Sequence, residues 1–206
     1  MGCGEIQFVD AAIGQMVTAL KHEGLLDSTL IIITAKQGQS PADTHRFFEP
    51  PTTPADILVN ADPGFLPVSE SPLTKGGSGP TQDDISLLWL APGKSLLGAV
   101  ALLEANKDQA AISEIFYGPS LATMFNPGGL PPLDPRTPDI IVQPNIGAIY
   151  STSGKKQAEH GGFAFDDTNV MLLVSNPSFK AKTVTSFVET MQVAPTILQA
   201  LGLDPG

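Results

Sequence analysis

The chain has 206 residues, 42% of them hydrophobic and 16% charged, which excludes an intrinsically disordered chain and predicts a globular protein with a buried core. Its formal net charge of -10 and pI near 4.5 argue against binding to nucleic acid or anionic membranes, because both depend on Lys and Arg. The single cysteine, Cys3, excludes an internal disulfide. No apolar run approaches the roughly 20 residues of a membrane span, and no signal peptide is visible. We therefore expect a soluble protein, and its compartment stays open.

The first predicted unit is a helix, a turn and a strand. Apolar residues between positions 9 and 20 recur at the spacing of one helical face, and Gly24 is placed to end this helix. Residues 30–33 are Leu followed by three Ile, which predicts a central strand covered on both faces. Because ligands in open α/β sheets bind beyond the carboxyl ends of such strands, residues 34–40 are the first candidate for a functional loop.

The composition of the middle of the chain is typical of an inserted segment. Residues 41–80 are rich in Pro, Gly, Ser and Thr, with one short strand expected at residues 57–59. A loop of this length is usually a lid or an inserted segment. The patterns that follow predict a small α+β unit, made of a strand at 84–90, a helix at 95–107 with Ser95 as its N-cap, a strand at 112–117, a helical turn at 120–125 and a loop at 126–138.

The last part of the chain is predicted to return to the main sheet. Strands are expected at residues 139–142, 148–150 and 170–174, the last of them an apolar run typical of a buried strand. A helix at 188–201 closes the chain, and Pro195 must lie in its first turns or kink it.

Four stretches together are similar to one enzyme family. They are the helix, turn, strand and loop of residues 9–41, the loop at 158–163, the strand at 169–175 and the helix at 188–198 with Ala200-Leu201-Gly202. Their order and spacing resemble the type I phosphodiesterase and nucleotide pyrophosphatase branch of the alkaline phosphatase superfamily. The resemblance implies an α/β fold, an alkaline-phosphatase-like sheet sandwiched by helices, present here in part and carrying an inserted small α+β cap subdomain.

The resemblance also implies domain boundaries and a cofactor. Residues 1–40 and 139–206 would form the alkaline-phosphatase-like core, and residues 41–138 would form the cap. The family hydrolyses phosphoric ester bonds at a site of two zinc or other divalent ions. His160 lies in the loop that would bind one of these ions.

Two departures from the family pattern bear on activity. Where the family carries Asp-His, this chain carries Lys36-Gln37, which replaces two expected zinc ligands by a cation and an amide. In the family, the nucleophilic Thr or Ser and further metal ligands precede the segment that opens this chain. The resemblance is therefore to the C-terminal half of an enzyme domain, and we expect a truncated form without that nucleophile.

The candidate site residues each have a functional and a structural interpretation. His160 is the metal-binding candidate, and its alternative is a loop histidine that caps a carbonyl. Lys36, Gln37 and Glu159 are candidates for binding an anion or a substrate, because a lysine and an amide offer donors to an oxyanion. The alternative is that Lys36 and Gln37 are solvated side chains at a site that has decayed.

Other polar residues near these loops are weaker candidates. Asp166 and Asp167 would be outer ligands or, more commonly for paired acids before a strand, turn residues. The hydroxyls of Thr34, Ser40 and Ser153 have no base at a recognisable spacing, so no catalytic residue is assigned.

Two classes of function stay open. One is a metal-dependent phosphodiesterase or phosphatase-type hydrolase. The other is a catalytically inactive pseudoenzyme or binding domain of the same fold that holds an anion or a partner chain. A small phosphoester or oxyanion is the expected ligand, and a homo-oligomer or a partner chain is expected to cover an exposed sheet edge.

Overall fold

The computed structural model describes residues 3–66, 81–123, 137–151 and 156–206. Its helices are α1 (Cys3–His22), α2 (Pro54–Ala61), α3 (Leu96–Ala105), α4 (Phe165–Thr168) and α5 (Val193–Ala200). Its strands are β1 (Ile31–Thr34), β2 (Thr81–Gln82), β3 (Ser86–Leu88), β4 (Ile112–Tyr117), β5 (Ile140–Pro144) and β6 (Leu172–Ser175). The fold is a mixture of α and β elements, as the sequence predicts.

The chain forms two compact units. The first unit contains residues 1–36 and 170–206, and the second contains residues 37–169. These boundaries differ from the predicted ones because β5 pairs with β3 and β4, which places residues 140–144 with the middle of the chain. The core and cap boundaries inferred from the resemblance stay a prediction.

The second unit has a four-stranded antiparallel sheet in the order β2-β3-β5-β4. Leu88 of β3 lies opposite Ile140 of β5, and Ile115 of β4 lies opposite Val142. The sheet and the helices α2 and α3 share one hydrophobic core, whose fully buried members include Leu58, Leu88, Leu103, Ile140 and Val142. The predicted strand at 112–117 and the N-cap at Ser95 are both confirmed, since the Ser95 side chain accepts the N–H of Gly98.

The predicted strand at residues 57–59 is wrong, because these residues lie in helix α2. Thr53 and Asp56 form a capping box, in which each side chain accepts the other residue's backbone N–H. Pro54 occupies the first turn, where its missing N–H has no cost. The short apolar run fits a strand as well as a helix, but the capping signal and the spacing of the buried residues favour the helix.

The first unit is built differently from the prediction. β1 pairs with β6 in antiparallel orientation, with Ile31 opposite Ser175 and Thr34 opposite Leu172. β1 was expected to be a central strand covered on both faces, yet its three isoleucines are only half-buried and β6 is its only partner within the described part of the chain. None of the described residues of this unit is fully buried.

The remaining predictions concern the ends of elements. Helix α1 runs as expected toward Gly24, which has a φ of 67°. Residues 148–150 form no strand, and Ala148 instead makes one isolated bridge to Phe48. The terminal helix α5 carries Pro195 in its first turn, and the loop predicted at 126–138 lies almost wholly outside the described residues.

Candidate functional site

Two loops of the second unit lie side by side. We name residues 37–42 the first loop and residues 159–167 the second loop. Four hydrogen bonds join them, which are, donor first, Gly38 N to Asp167 O (2.7 Å), Ser40 N to Glu159 O (2.8 Å), Glu159 N to Ser40 O (2.9 Å) and Ala42 N to Asp166 Oδ2 (2.9 Å). Three of these bonds join backbone to backbone, so they hold the two loops in register independently of the side chains. These two loops contain the residues that resemble the two metal loops of the family.

Gly38 permits the close approach of the two loops. A Cβ atom added at this position would overlap the backbone carbonyl of Asp166. Backbone cannot swing aside as a flexible side chain can, so any larger residue would separate the loops. This contact therefore requires glycine at position 38, although the backbone dihedrals there do not.

Two glycines shape the second loop around His160. Gly161 has a φ of 109°, which favours glycine, and a Cβ added at Gly162 would overlap the Oδ2 atoms of both Asp84 and Asp167. The side chain of His160 is exposed to solvent. The loop thus presents an imidazole at its surface while its backbone lies against two carboxyl groups.

Phe163 anchors the second loop to the four-stranded sheet. Its backbone N–H donates to Gln143 Oε1 of β5 at 2.8 Å. Its ring meets Phe116 of β4 edge to face, with ring centroids 5.7 Å apart and an interplanar angle of 81°. The second loop is therefore fixed to the sheet as well as to the first loop.

Asp84 and Asp167 are buried carboxyl groups on the inner side of the second loop. Asp84 lies between β2 and β3 and is 1% exposed, while Asp167 lies in α4 and is 4% exposed. Burial, followed by the charge of Asp167, raises the pKa of Asp84 to about 8. Burial also raises the pKa of Asp167. The backbone N–H groups of Gly162 and Ala164 lower the pKa of Asp84 and of Asp167 respectively, but burial is the larger effect in both cases. Among the described residues, no donor lies in hydrogen-bonding geometry to Asp84 Oδ2 or to either carboxyl oxygen of Asp167.

Asp83 and Glu159 form a second acidic contact beside His160. Burial and then the Glu159 charge raise the pKa of Asp83, whereas Lys156 and His160 act in the opposite direction. The buried Glu159 carboxylate is paired with Lys156, and this bond raises the pKa of the lysine. The consecutive residues Asp83 and Asp84 therefore contact opposite ends of the second loop.

The structure gathers part of the predicted site. The second loop contains four of the candidates, namely Glu159, His160, Asp166 and Asp167. The Glu159 carboxylate forms an ion pair with Lys156. Lys36 ends the first unit with an exposed side chain, whereas Gln37 is half-buried at the start of the second. The remaining weak candidates are Thr34, which is exposed, Ser40, which is buried, and Ser153, which lies outside the described residues.

Sequence reasoning missed Asp83 and Asp84. Their signal was a pair of acids placed directly before the apolar run of β3, of which only Asp84 was interpreted, as the first residue of the strand predicted at 84–90. Paired acids at a strand end are common turn residues, so the pattern alone did not show that Asp84 is buried. Only the contact with the second loop shows that Asp84 is buried and that Asp83 is half-buried.

The described side chains do not by themselves form the expected zinc site. Within residues 3–66, 81–123, 137–151 and 156–206, no group of three or more His, Cys, Asp or Glu side chains is placed to hold a metal ion. A structural or catalytic zinc needs three or four protein ligands. His160 would supply one of them, whereas Glu159 is paired with Lys156, and Asp84 and Asp167 interact with each other.

Most of the chain matches the model of one protein family. The family model described as type I phosphodiesterase / nucleotide pyrophosphatase matches residues 4–164, a range that includes the first loop and most of the second. The chain belongs to this family. The prediction of the family, and with it of the alkaline phosphatase superfamily, is confirmed. No curated protein sequence matches the chain.

Solved structures support the fold of this phosphodiesterase family member. Human ectonucleotide pyrophosphatase / phosphodiesterase 5 is similar with a TM-score of 0.60 and 15% identity, over 97% of this chain and 48% of that chain. The murine protein, as an inactive variant in complex with AMP, is similar with a TM-score of 0.63 and 14% identity, over 98% and 48% of the two chains. At this identity the similarity shows an alkaline-phosphatase-like fold, and the chain spans about half the length of these relatives.

None of the helices in the described part of the chain combines the length and the apolar character that crossing a bilayer requires.

Proposed function

We propose that this chain provides part of a phosphoester hydrolase site, with His160 as the metal-binding side chain that the second loop contributes. The observation that carries the proposal is the register between the two loops, in which Ser40 and Glu159 exchange backbone hydrogen bonds at 2.8 and 2.9 Å. Loops that resemble the two metal loops of the family are thus adjacent. Family membership and the fold support a hydrolase of the phosphodiesterase or pyrophosphatase type.

The role of His160 follows from its exposure and its surroundings. A neutral imidazole offers a nitrogen lone pair to a divalent ion, and the acidic groups Asp83 and Asp167 lower the cost of bringing a cation near it. Other ligands would come from outside the described ranges or from another polypeptide, because Asp-His is replaced by Lys36-Gln37 in this chain. Zinc or another divalent metal is the cofactor that the family implies.

The proposal is tested by metal content and hydrolysis together. Purified wild-type protein, His160→Ala and the matched control His45→Ala are analysed for zinc by mass spectrometry. The same three proteins are assayed on bis(p-nitrophenyl) phosphate with and without added zinc. We expect the wild type and the control to bind zinc and to hydrolyse the ester. In His160→Ala, the zinc content and the rate of hydrolysis should each fall by about tenfold or more, and tenfold corresponds to about 1.4 kcal/mol. Equal metal content in all three proteins would refute the role of His160.

A second function is favoured by the departures at the first loop. Lys36 and Gln37 offer a positive charge and an amide donor where the family has metal ligands, and no metal-binding group of three occurs in the part of the chain that the structure describes. The chain would then bind a small oxyanion or phosphoester without hydrolysing it. Calorimetry with inorganic phosphate and with AMP tests this function. Binding that is lost in Lys36→Gln and kept in Lys180→Gln, without hydrolysis, would favour it over the hydrolase.

We also propose a partner for the first unit, because its apolar residues stay exposed. Large hydrophobic side chains that are at least half exposed include Ile6, Phe8, Met16, Phe187 and Leu201. Large exposed apolar surfaces are typical of interaction sites. The proposed occupant is a polypeptide that corresponds to the rest of the relatives' fold, since the chain spans 48% of their length. It would add to the free edge of β1. A homo-oligomer is the other possible outcome of the test described below.

A further inference from the structure

Two carboxyl groups meet behind the second loop. Asp84 and Asp167 point their Oδ2 atoms at one spot, because a single Cβ atom added at Gly162 would overlap both oxygens. The two residues come from separate elements of the second unit, the turn between β2 and β3 and the one-turn helix α4. Their meeting is therefore a tertiary contact of the folded unit, made against the loop backbone.

Two ionised carboxylates are not stable in this position. Both side chains are more than nine-tenths buried, and removing a charge from water costs several kcal/mol unless an opposite charge compensates it. The backbone N–H groups of Gly162 and Ala164 act against protonation but do not offset burial, and no donor among the residues described by the structure lies in hydrogen-bonding geometry to Asp84 Oδ2 or to the oxygens of Asp167. A proton held by one carboxyl supplies the missing donor and removes one of the two like charges.

We propose that Asp84 and Asp167 share one proton and that this proton-linked pair positions the second loop, so that both residues act on His160 through the backbone of Gly162. Neither residue needs to touch a substrate for this role. The pair sets the shape of the loop whether or not the chain hydrolyses phosphoesters.

The charged groups around the pair do not replace the proton. Asp166 is committed to the N–H of Ala42, and Glu159 is committed to Lys156. Both add negative potential, since the Glu159 charge raises the pKa of Asp84 and the Asp166 charge raises that of Asp167. His160 acts in the opposite direction on Asp167, but it is exposed to solvent. The pair therefore holds its proton at neutral pH.

Loss of the proton should loosen the second loop. Burial and the Asp167 charge raise the pKa of Asp84 to about 8, so the proton leaves in mildly alkaline solution. Two like charges would then face each other behind Gly162 and push the loop backbone outward. Hydrogen exchange at the loop amides reports this opening directly.

The test compares amide exchange in the full chain at pH 6 and pH 9. Protection factors for residues 159–164, corrected for intrinsic exchange, are measured in the wild type, in Asp84→Asn and in the control Asp108→Asn, whose side chain is exposed. We expect the wild type and the control to lose about tenfold in protection by pH 9. Asp84→Asn should keep its protection, because an amide donates to Asp167 at every pH. Equal loss in all three proteins, or no loss in the wild type, would overturn the inference.

Two further measurements decide the remaining outcomes. If Asp84→Asn does not fold, Asp167→Asn tests the same pair, because its amide donates to Asp84. If neither variant folds, the wild-type profile decides, and unchanged protection at pH 9 rejects a shared proton. Addition of calcium or zinc at pH 9 tests a cation in place of the proton. Restored protection with the ion would show a metal-bridged pair and would contradict the proposal.

Discussion

Ser40 and Glu159 exchange two backbone hydrogen bonds and so hold together loops that are far apart in the sequence. Glu159 directly precedes His160, and Ser40 lies two residues after Gly38. The position of the one imidazole in the second loop therefore depends on contacts that contain no metal and no catalytic side chain.

The first prediction concerns the close approach at Gly38. Gly38→Ala should destabilise the second unit by about 1–3 kcal/mol, because the added methyl overlaps the Asp166 carbonyl and must move backbone. Urea unfolding followed by circular dichroism measures the change. Gly14→Ala is the control, since it lies in α1 with open space around it, and there the better helix propensity should stabilise slightly. A neutral result at Gly38 would contradict the geometry of the loop contact.

The second prediction concerns the capping box of α2. Thr53→Ala should cost about 1 kcal/mol, because the N–H of Asp56 loses its acceptor. Thr44→Ala, at an exposed threonine, is the matched control and should change the unfolding midpoint little. Equal unfolding midpoints for the two variants would contradict a stabilising role of the Thr53 cap.

The third prediction concerns the pH dependence of stability. The pKa of Asp84 is raised to about 8, whereas an aspartate in an unfolded chain titrates near 3.9. Between about pH 4 and pH 8 the folded state holds a proton that the unfolded state has released. The free energy of unfolding should therefore fall as the pH rises, by at most about 1.4 kcal/mol per pH unit, and level off above pH 8.

Urea unfolding of the wild type and of Asp84→Asn at pH 5, 6, 7 and 8 measures this slope. We expect a shallower slope in the variant, since an asparagine does not titrate in this range. Parallel slopes would assign the pH dependence to other groups.

The fourth prediction concerns the exposed apolar side chains of the first unit. The isolated chain should self-associate, and replacing Phe8 and Phe187, which are 76% and 86% exposed, by Asp should shift it toward the monomer. Light scattering coupled to gel filtration measures the mass. Leu97→Asp is the control, because Leu97 is 68% exposed on the second unit and should not change the mass. A monodisperse wild-type monomer would reject self-association through this surface.

Much of the fold could be predicted from local patterns. The helix at Ser95 was predictable because its cap lies next to the apolar residues that it orients. The family was predictable from four short stretches in the right order. The strand at 57–59 was mispredicted because an apolar run of three residues fits either element, and the cap at Thr53 was the stronger signal.

The candidate site was less predictable, because its main contacts join distant residues. His160 and Asp167 could be singled out from the second loop alone, but nothing near Asp84 in the sequence shows that it meets Asp167. The exposure of β1 was also unpredictable, since an apolar strand has the same sequence whether or not a neighbour covers it.

The hydrogen bond from Gly38 to Asp167, at 2.7 Å, has a consequence for engineering. The polypeptide enters and leaves the second unit at adjacent points, which is the geometry of a domain inserted into a host loop. Because its core is built from its own residues, residues 37–169 should be transferable as an independent module, or removable in exchange for a short turn.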